Sequence, residues 1–102
     1  MHTSPQVPIV DRYVIGVTYR YALLSTAYLR VSGHTRREAE RNAKKVGSWL
    51  LLELPLTAEV RVPRFRGMDT AGQAIFEVPI LIGECESTAK AILARLALQG
   101  SV

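Results

Sequence analysis

The chain of 102 residues contains a single cysteine, Cys85. One thiol forms no internal disulfide and no multi-cysteine metal site, and it fits a reducing compartment. Histidine is nearly as scarce, with only His2 and His34. No two His, Cys or carboxylate residues stand at a metal-binding spacing, so no metal and no cofactor is expected. No apolar run reaches the roughly 20 residues of a membrane-spanning helix. The opening Met-His-Thr-Ser-Pro-Gln-Val-Pro lacks a basic stretch followed by an apolar core, so it does not read as a signal peptide. No glycine-rich turn between a strand and a helix is present to cradle a phosphate. The expectation is a soluble cytoplasmic protein: a flexible N-terminal arm over residues 1–10, carrying Pro5 and Pro8, and a single domain over 11–102.

What the chain does have is a lopsided charge. Residues 1–66 carry 11 Lys/Arg against 5 Asp/Glu, a net of +6, whereas residues 67–102 carry 2 against 4, a net of −2. Apolar residues make up 48% of the chain and charged residues 22%, which argues for a folded domain rather than a disordered basic tail. A basic half and a mildly acidic half in one small domain imply an oriented surface that meets a polyanion or an acidic partner.

The hydropathy pattern divides into short elements. Tyr13, Ile15, Val17, Tyr19, Tyr21 and Leu23 alternate with Arg12, Val14, Gly16, Thr18 and Arg20, the period of a strand. Ala27, Leu29 and Val31 alternate with Tyr28, Arg30 and Ser32 in a second strand. The turn between them, near Leu24-Ser25-Thr26, lacks Gly, Asn and Asp, so one long bent strand is the competing reading. Thr35-Arg36-Arg37-Glu38 matches a helix capping box. The helix it opens places Ala39, Ala43, Val46 and Leu50 in one apolar stripe and ends by about Leu54, because Pro55 follows. Residues 58–66 read as an edge strand, with Val60 and Val62 opposite Arg61 and with Pro63 near its end. A hairpin loop at 67–72 leads to a strand at 73–82, whose Ala74, Phe76, Val78 and Ile80 share one face. A final helix over about 87–99 turns Ala89, Ile92, Leu93 and Leu96 inward, and Gly100 stops it.

The resulting fold class is α+β. The order ββαββα predicts a two-layer sandwich, a four-stranded antiparallel sheet with both helices on one face, which is a circularly permuted ferredoxin-like order. Pro79 objects, since it falls in a strand that this order makes central. The paired part ends near Val78, or Pro79 marks a bulge, or the strand order differs; a plain pair of ββα units also stays open.

Two basic surfaces emerge. On the first helix, Arg37, Arg41 and Lys44 recur at spacings of four and three, with Lys45 beside them. Arg37 and Arg41 repel each other at i,i+4, a repulsion that phosphate binding offsets. On the sheet face turned away from the helices, parity places Arg20, Arg30 and Arg61 around Tyr28, with Thr18 and Glu77. An aromatic ring among arginines is the composition that stacks bases and holds a single-stranded backbone. The competing reading buries this open face in a homodimer. A third constellation, His34 and Cys85, places both residues at strand-to-helix junctions expected at the same edge of the sheet, where a thiolate–imidazole pair would form. Glu84 and Glu86 flank the cysteine and oppose a thiolate. Trp49 lies off the centre of the apolar stripe, where it covers the core margin or, in the competing reading, anchors a partner.

The function expected from these residues is a small non-enzymatic binding protein, with no catalytic residue assigned. It engages a nucleic-acid backbone or an acidic protein surface through the basic helix face, as a homodimer. The alternative is a protein–protein adaptor or inhibitor, of the kind mobile elements often encode, with no nucleic-acid role. An enzyme using His34 and Cys85 ranks third.

Overall fold

A computed structural model describes residues 13–21 and 25–100. The N-terminal arm (1–10), Arg12, Leu23 and Leu24 lie outside the described residues. The elements are β1 (Val14–Tyr21), β2 (Ser25–Gly33), α1 (Arg36–Glu53), β3 (Glu59–Val60), β4 (Arg64–Met68), β5 (Ala74–Leu81), a 3-10 turn at Gly83–Cys85 and α2 (Glu86–Gly100). The class is α+β. The sheet has five strands rather than the expected four, so the order reads ββαβββα instead of ββαββα. Every pairing is antiparallel, in the order β1-β2-β5-β3, with β4 also paired to β5.

The extra strand comes from the segment read as one strand over 58–66. It breaks into β3 and β4 around Pro63, and both pieces pair with β5. Pro79 sits opposite this break. Its carbonyl accepts the Arg61 N–H at 2.8 Å. The N–H and C=O of a residue in an antiparallel strand point to the same side, so the donor that proline lacks would point into the gap between β3 and β4. On its other side Pro79 faces Tyr28 of β2. A proline thus occupies a strand paired on both sides, with no bulge and no early end to β5.

β1 and β2 are two strands, not one long bent strand. The expected turn is displaced, because Ser25 and Thr26 already belong to β2 and pair with Tyr21 and Arg20. The alternation read in β1 fails at its start. A bulge between Val14 and Gly16 shifts the phase, so Val14 is buried and Ile15 is exposed, the reverse of the expected assignment.

Ala27, Leu29 and Val31 of β2, with Phe76, Val78 and Ile80 of β5, pack against both helices in one buried cluster. α1 lies over β2 and β5, and α2 over β1. The stripe Ala39, Ala43, Val46 and Leu50 is buried as its spacing requires, and so are Ala89, Leu93 and Leu96 of α2. Each fully buried leucine contributes about 1.5–3 kcal/mol of transfer free energy.

Local chemistry sets the start of α1. The Thr35 hydroxyl accepts the Glu38 N–H at 3.1 Å. The Glu38 carboxylate accepts the His34 N–H at 2.7 Å, one residue before the cap rather than at the cap itself. Gly33 permits the close approach of this first turn to β2: a Cβ there would lie 2.6 Å from Ala39 Cα. Asn42 is buried, and its Nδ2 donates to the Ser32 carbonyl at 2.9 Å, a second tie between helix and strand.

Candidate functional site

Side chains alternate across β2, so the burial of Ala27, Leu29 and Val31 sends Tyr28 and Arg30 to the face opposite the helices. Strand register builds a surface around them. Tyr28 stands between Thr18 and Pro79, and Arg30 between Gly16 and Glu77. Arg64 of β4 is the partner of Glu77 on the far side. The result is two adjoining hollows on the open face. One, about 420 Å³, is lined by Thr26, Tyr28, Arg61, Val62, Arg64, Pro79 and Leu81. The other, about 520 Å³, is lined by Thr18, Arg20, Tyr28, Arg30, Arg64, Arg66 and Glu77. Tyr28 and Arg64 border both.

The sequence-derived set Arg20, Arg30, Arg61 and Tyr28 therefore meets on one face. The structure adds Arg64 and Arg66, which sequence parity missed. Continuing the alternation of Val60 and Val62 would have turned residues 64 and 66 inward. The chain leaves the sheet at Val60 and re-enters at Arg64, which resets the phase. Val60 packs against the core, whereas Val62 is exposed and lines the first hollow. The signal that could have found this is Pro63 itself, a residue that interrupts a ladder and makes alternation across it unreliable.

Charge on this face is unequal. Five arginines surround one nearly buried carboxylate, Glu77, which is 8% exposed. Arg64 Nη2 donates to Glu77 Oε1 at 2.8 Å, and Arg66 Nε lies 3.7 Å from Oε2. Arg61 pairs with Glu59 at 3.1 Å. Among the described residues Arg20 and Arg30 have no ion-pair partner. Arg30 lies over β1 where Gly16 leaves room: a Cβ at Gly16 would come within 2.6 Å of Arg30 Nη2. A guanidinium without a carboxylate keeps its donor fork available for a phosphate.

The basic face of α1 lies on the other side of the domain. Arg37, Arg41, Lys44 and Lys45 are all exposed and fall within an arc of about 100°. Lys44 approaches Glu40 at 3.8 Å. None of these four residues lines either hollow. Trp49 is half-buried and packs against the core cluster, as its place beside the apolar stripe implies.

His34 and Cys85 are not brought together. β2 and β5 are antiparallel, with Gly33 beside Ala74 and Thr26 beside Leu81. His34 follows β2 at one end of the sheet, and Cys85 follows β5 at the other, separated by roughly 23 Å of strand. The expectation of a shared edge is wrong because adjacent central strands run in opposite directions. Cys85 is half-buried, and its Sγ lies 2.9 Å from the Ile82 carbonyl, to which it donates. Among the described residues no three His, Cys, Asp or Glu side chains gather as a metal site, and no helix is long and apolar enough to cross a membrane.

A separate polar cluster fixes α2 to β1. Lys90 Nζ lies 4.5 Å from the Tyr21 ring centre and 5.1 Å from that of Tyr19, and 2.9 Å from Glu86. Hydrogen bonds to Tyr21 and Glu86 raise the Lys90 pKa. Hydrogen bonds from Lys90 and Ser25 lower that of Glu86. Burial raises that of Tyr19, against the lowering effect of Lys90.

No protein-family model, curated protein or solved structure matches this chain.

Proposed function

We propose that the chain is a non-enzymatic binding protein for single-stranded nucleic acid, which lies across the open face of the sheet. The observation that carries this reading is the placement of Tyr28 on the shared border of two hollows edged by five arginines. The first hollow combines Tyr28 with Val62, Pro79 and Leu81, apolar surfaces suited to a base. The second presents Arg20, Arg30 and Arg66, donors suited to backbone phosphates. Stacking on an aromatic ring beside a track of cations binds single strands with little regard to sequence. A second copy docked on this face would set five arginines against five, so the face is better matched to a polyanion than to itself. The sequence alone favoured the basic face of α1 for this role. The concave sheet face supersedes it here, because it joins cations to an aromatic surface. The strand order also supports a circularly permuted ferredoxin-like arrangement, with the β3/β4 pair as one interrupted edge strand.

The test is fluorescence anisotropy of labelled single- and double-stranded oligonucleotides across a salt series. Single strands should bind more tightly. The logarithm of affinity should fall linearly with the logarithm of salt, with a slope of about −2 to −3 for three to four neutralised phosphates. Tyr28→Ala should cost about 1–3 kcal/mol. Arg20→Ala and Arg30→Ala should each flatten the slope by about 0.7. A salt-independent signal, or no binding at low salt, would sink the proposal.

A further inference from the structure

The outward face of α1 changes character along its length. Arg37, Arg41, Lys44 and Lys45 occupy its first three turns, and Leu51 and Leu52 its last. Leu51 is 64% exposed, Leu52 83%, and Leu56, just past the helix end, 100%. Leu50 and Leu54, interleaved with them, are buried in the core. Arg41, Lys45, Ser48 and Leu52 recur at spacings of four, three and four, which places them in one outward stripe. From Arg37 to Leu52 this stripe is about 22 Å long. Single exposed leucines are ordinary, but three within six residues, two of them on the same helix face as four cations, form a composite surface. Among the described residues Arg37, Arg41 and Lys45 have no ion-pair partner.

We infer that this face docks an acidic, amphipathic segment of a partner protein, with carboxylates over the cations and bulky apolar side chains over Leu51, Leu52 and Leu56. The site is separate from the open sheet face and does not depend on its function. Three other occupants fit less well. A nucleic-acid backbone would satisfy the cations and leave the leucines in water. A second copy could cover the leucines but would bring no surplus of carboxylates to the four cations. An interfacial membrane helix inserts an apolar side that lies opposite its charges. Here that side is spent on the core, and Leu51 and Leu52 stand on the same face as the cations.

The probe is a synthetic helical peptide without tryptophan, with glutamates over one half and leucines over the other. Its control has the same composition with the two residue types interleaved along its length. Trp49, the only tryptophan of the chain, flanks the stripe between Lys45 and Leu52 and reports binding by its emission. The block peptide should bind and shift Trp49 emission. The interleaved peptide should bind at least tenfold more weakly, as should the block peptide to Arg41→Ser and to the double variant Leu52→Ser/Leu56→Ser. These residues are exposed, so circular dichroism should report an unchanged fold. The inference fails if both peptides bind equally, if the leucine variants bind as the parent does, or if nothing binds at low salt. It also fails if phosphatidylserine vesicles outcompete the peptide in a leucine-dependent way, or if sedimentation reveals a dimer that the leucine variants dissolve.

Discussion

Two glycines on either side of the α1 seat should respond to alanine with opposite signs. Gly33 is buried at the end of β2, beneath the first turn of α1. A Cβ there would meet Ala39 N, lie 2.6 Å from Ala39 Cα and lie 2.9 Å from Glu38 C. All three are backbone atoms, so no side chain can turn aside. Ordinary contact begins at 3.4 Å, and Ala39 N is the closest of the three, so helix and strand must part by about 1 Å. That movement strains the Glu38 bond to His34 N–H, now 2.7 Å, and the packing of Ala39 and Ala43. Overpacking of this kind costs about 2–3 kcal/mol. For a domain of this size that lowers Tm by roughly 10–20 °C. Gly47 sits inside α1, where a Cβ would meet only Val60 Cγ1 at 3.7 Å, an ordinary contact. Gly47→Ala therefore removes the mid-helix glycine penalty and should stabilise by about 0.5–1 kcal/mol. Urea unfolding followed by circular dichroism and by Trp49 emission measures both. Equal signs, or a Gly33→Ala effect below about 0.5 kcal/mol, would refute the steric account.

Two further outcomes follow from the polar clusters. Arg64→Ala should destabilise by about 1 kcal/mol, a value held down by the exposure of Arg64, because Glu77 loses its shortest partner. The loss should vanish in a Glu77→Gln background, and additive urea midpoints in the double-mutant cycle would contradict the pairing. The Lys90 cluster should give stability a pH dependence at both ends. Lys90 and Tyr19 have raised pKa values, so their contribution is complete below about pH 10 and declines as pH rises further. Glu86 has a lowered pKa, so its contribution is present above the ordinary carboxylate range and is lost as pH falls through its folded value. Urea midpoints from acid to alkaline pH should show both declines, and Lys90→Met should flatten the alkaline one.

Much of the fold was legible in the sequence where one physical signal acted alone. The Thr35 cap and the spacing of Ala39, Ala43, Val46 and Leu50 located α1, and the alternation in β2 and β5 identified their buried faces. Alternation misled where backbone irregularity changed its phase. The bulge in β1 exchanged Val14 and Ile15, and the break at Pro63 carried Arg64 and Arg66 onto the open face. Neither irregularity alters composition, so a period-two count passes over both. The His34–Cys85 pair failed for a topological reason: strand direction, not residue type, decides which junctions share an end. Leu51 and Leu52 were legible by the signal that located α1: the helix phase that puts Leu50 in the buried stripe turns them outward.

Pro79 has a consequence for how the molecule meets copies of itself. Sheet edges with an unbroken row of backbone donors and acceptors recruit strands from neighbouring chains, and the route to aggregation often starts there. Along the β3/β4 side the row stops opposite Pro79, after the bond from Arg61 N–H to its carbonyl. An incoming strand would find two short ladders out of step rather than one template. The interruption beside the first hollow thus also guards that edge against fibrous growth, and straightening the strand would give up the guard.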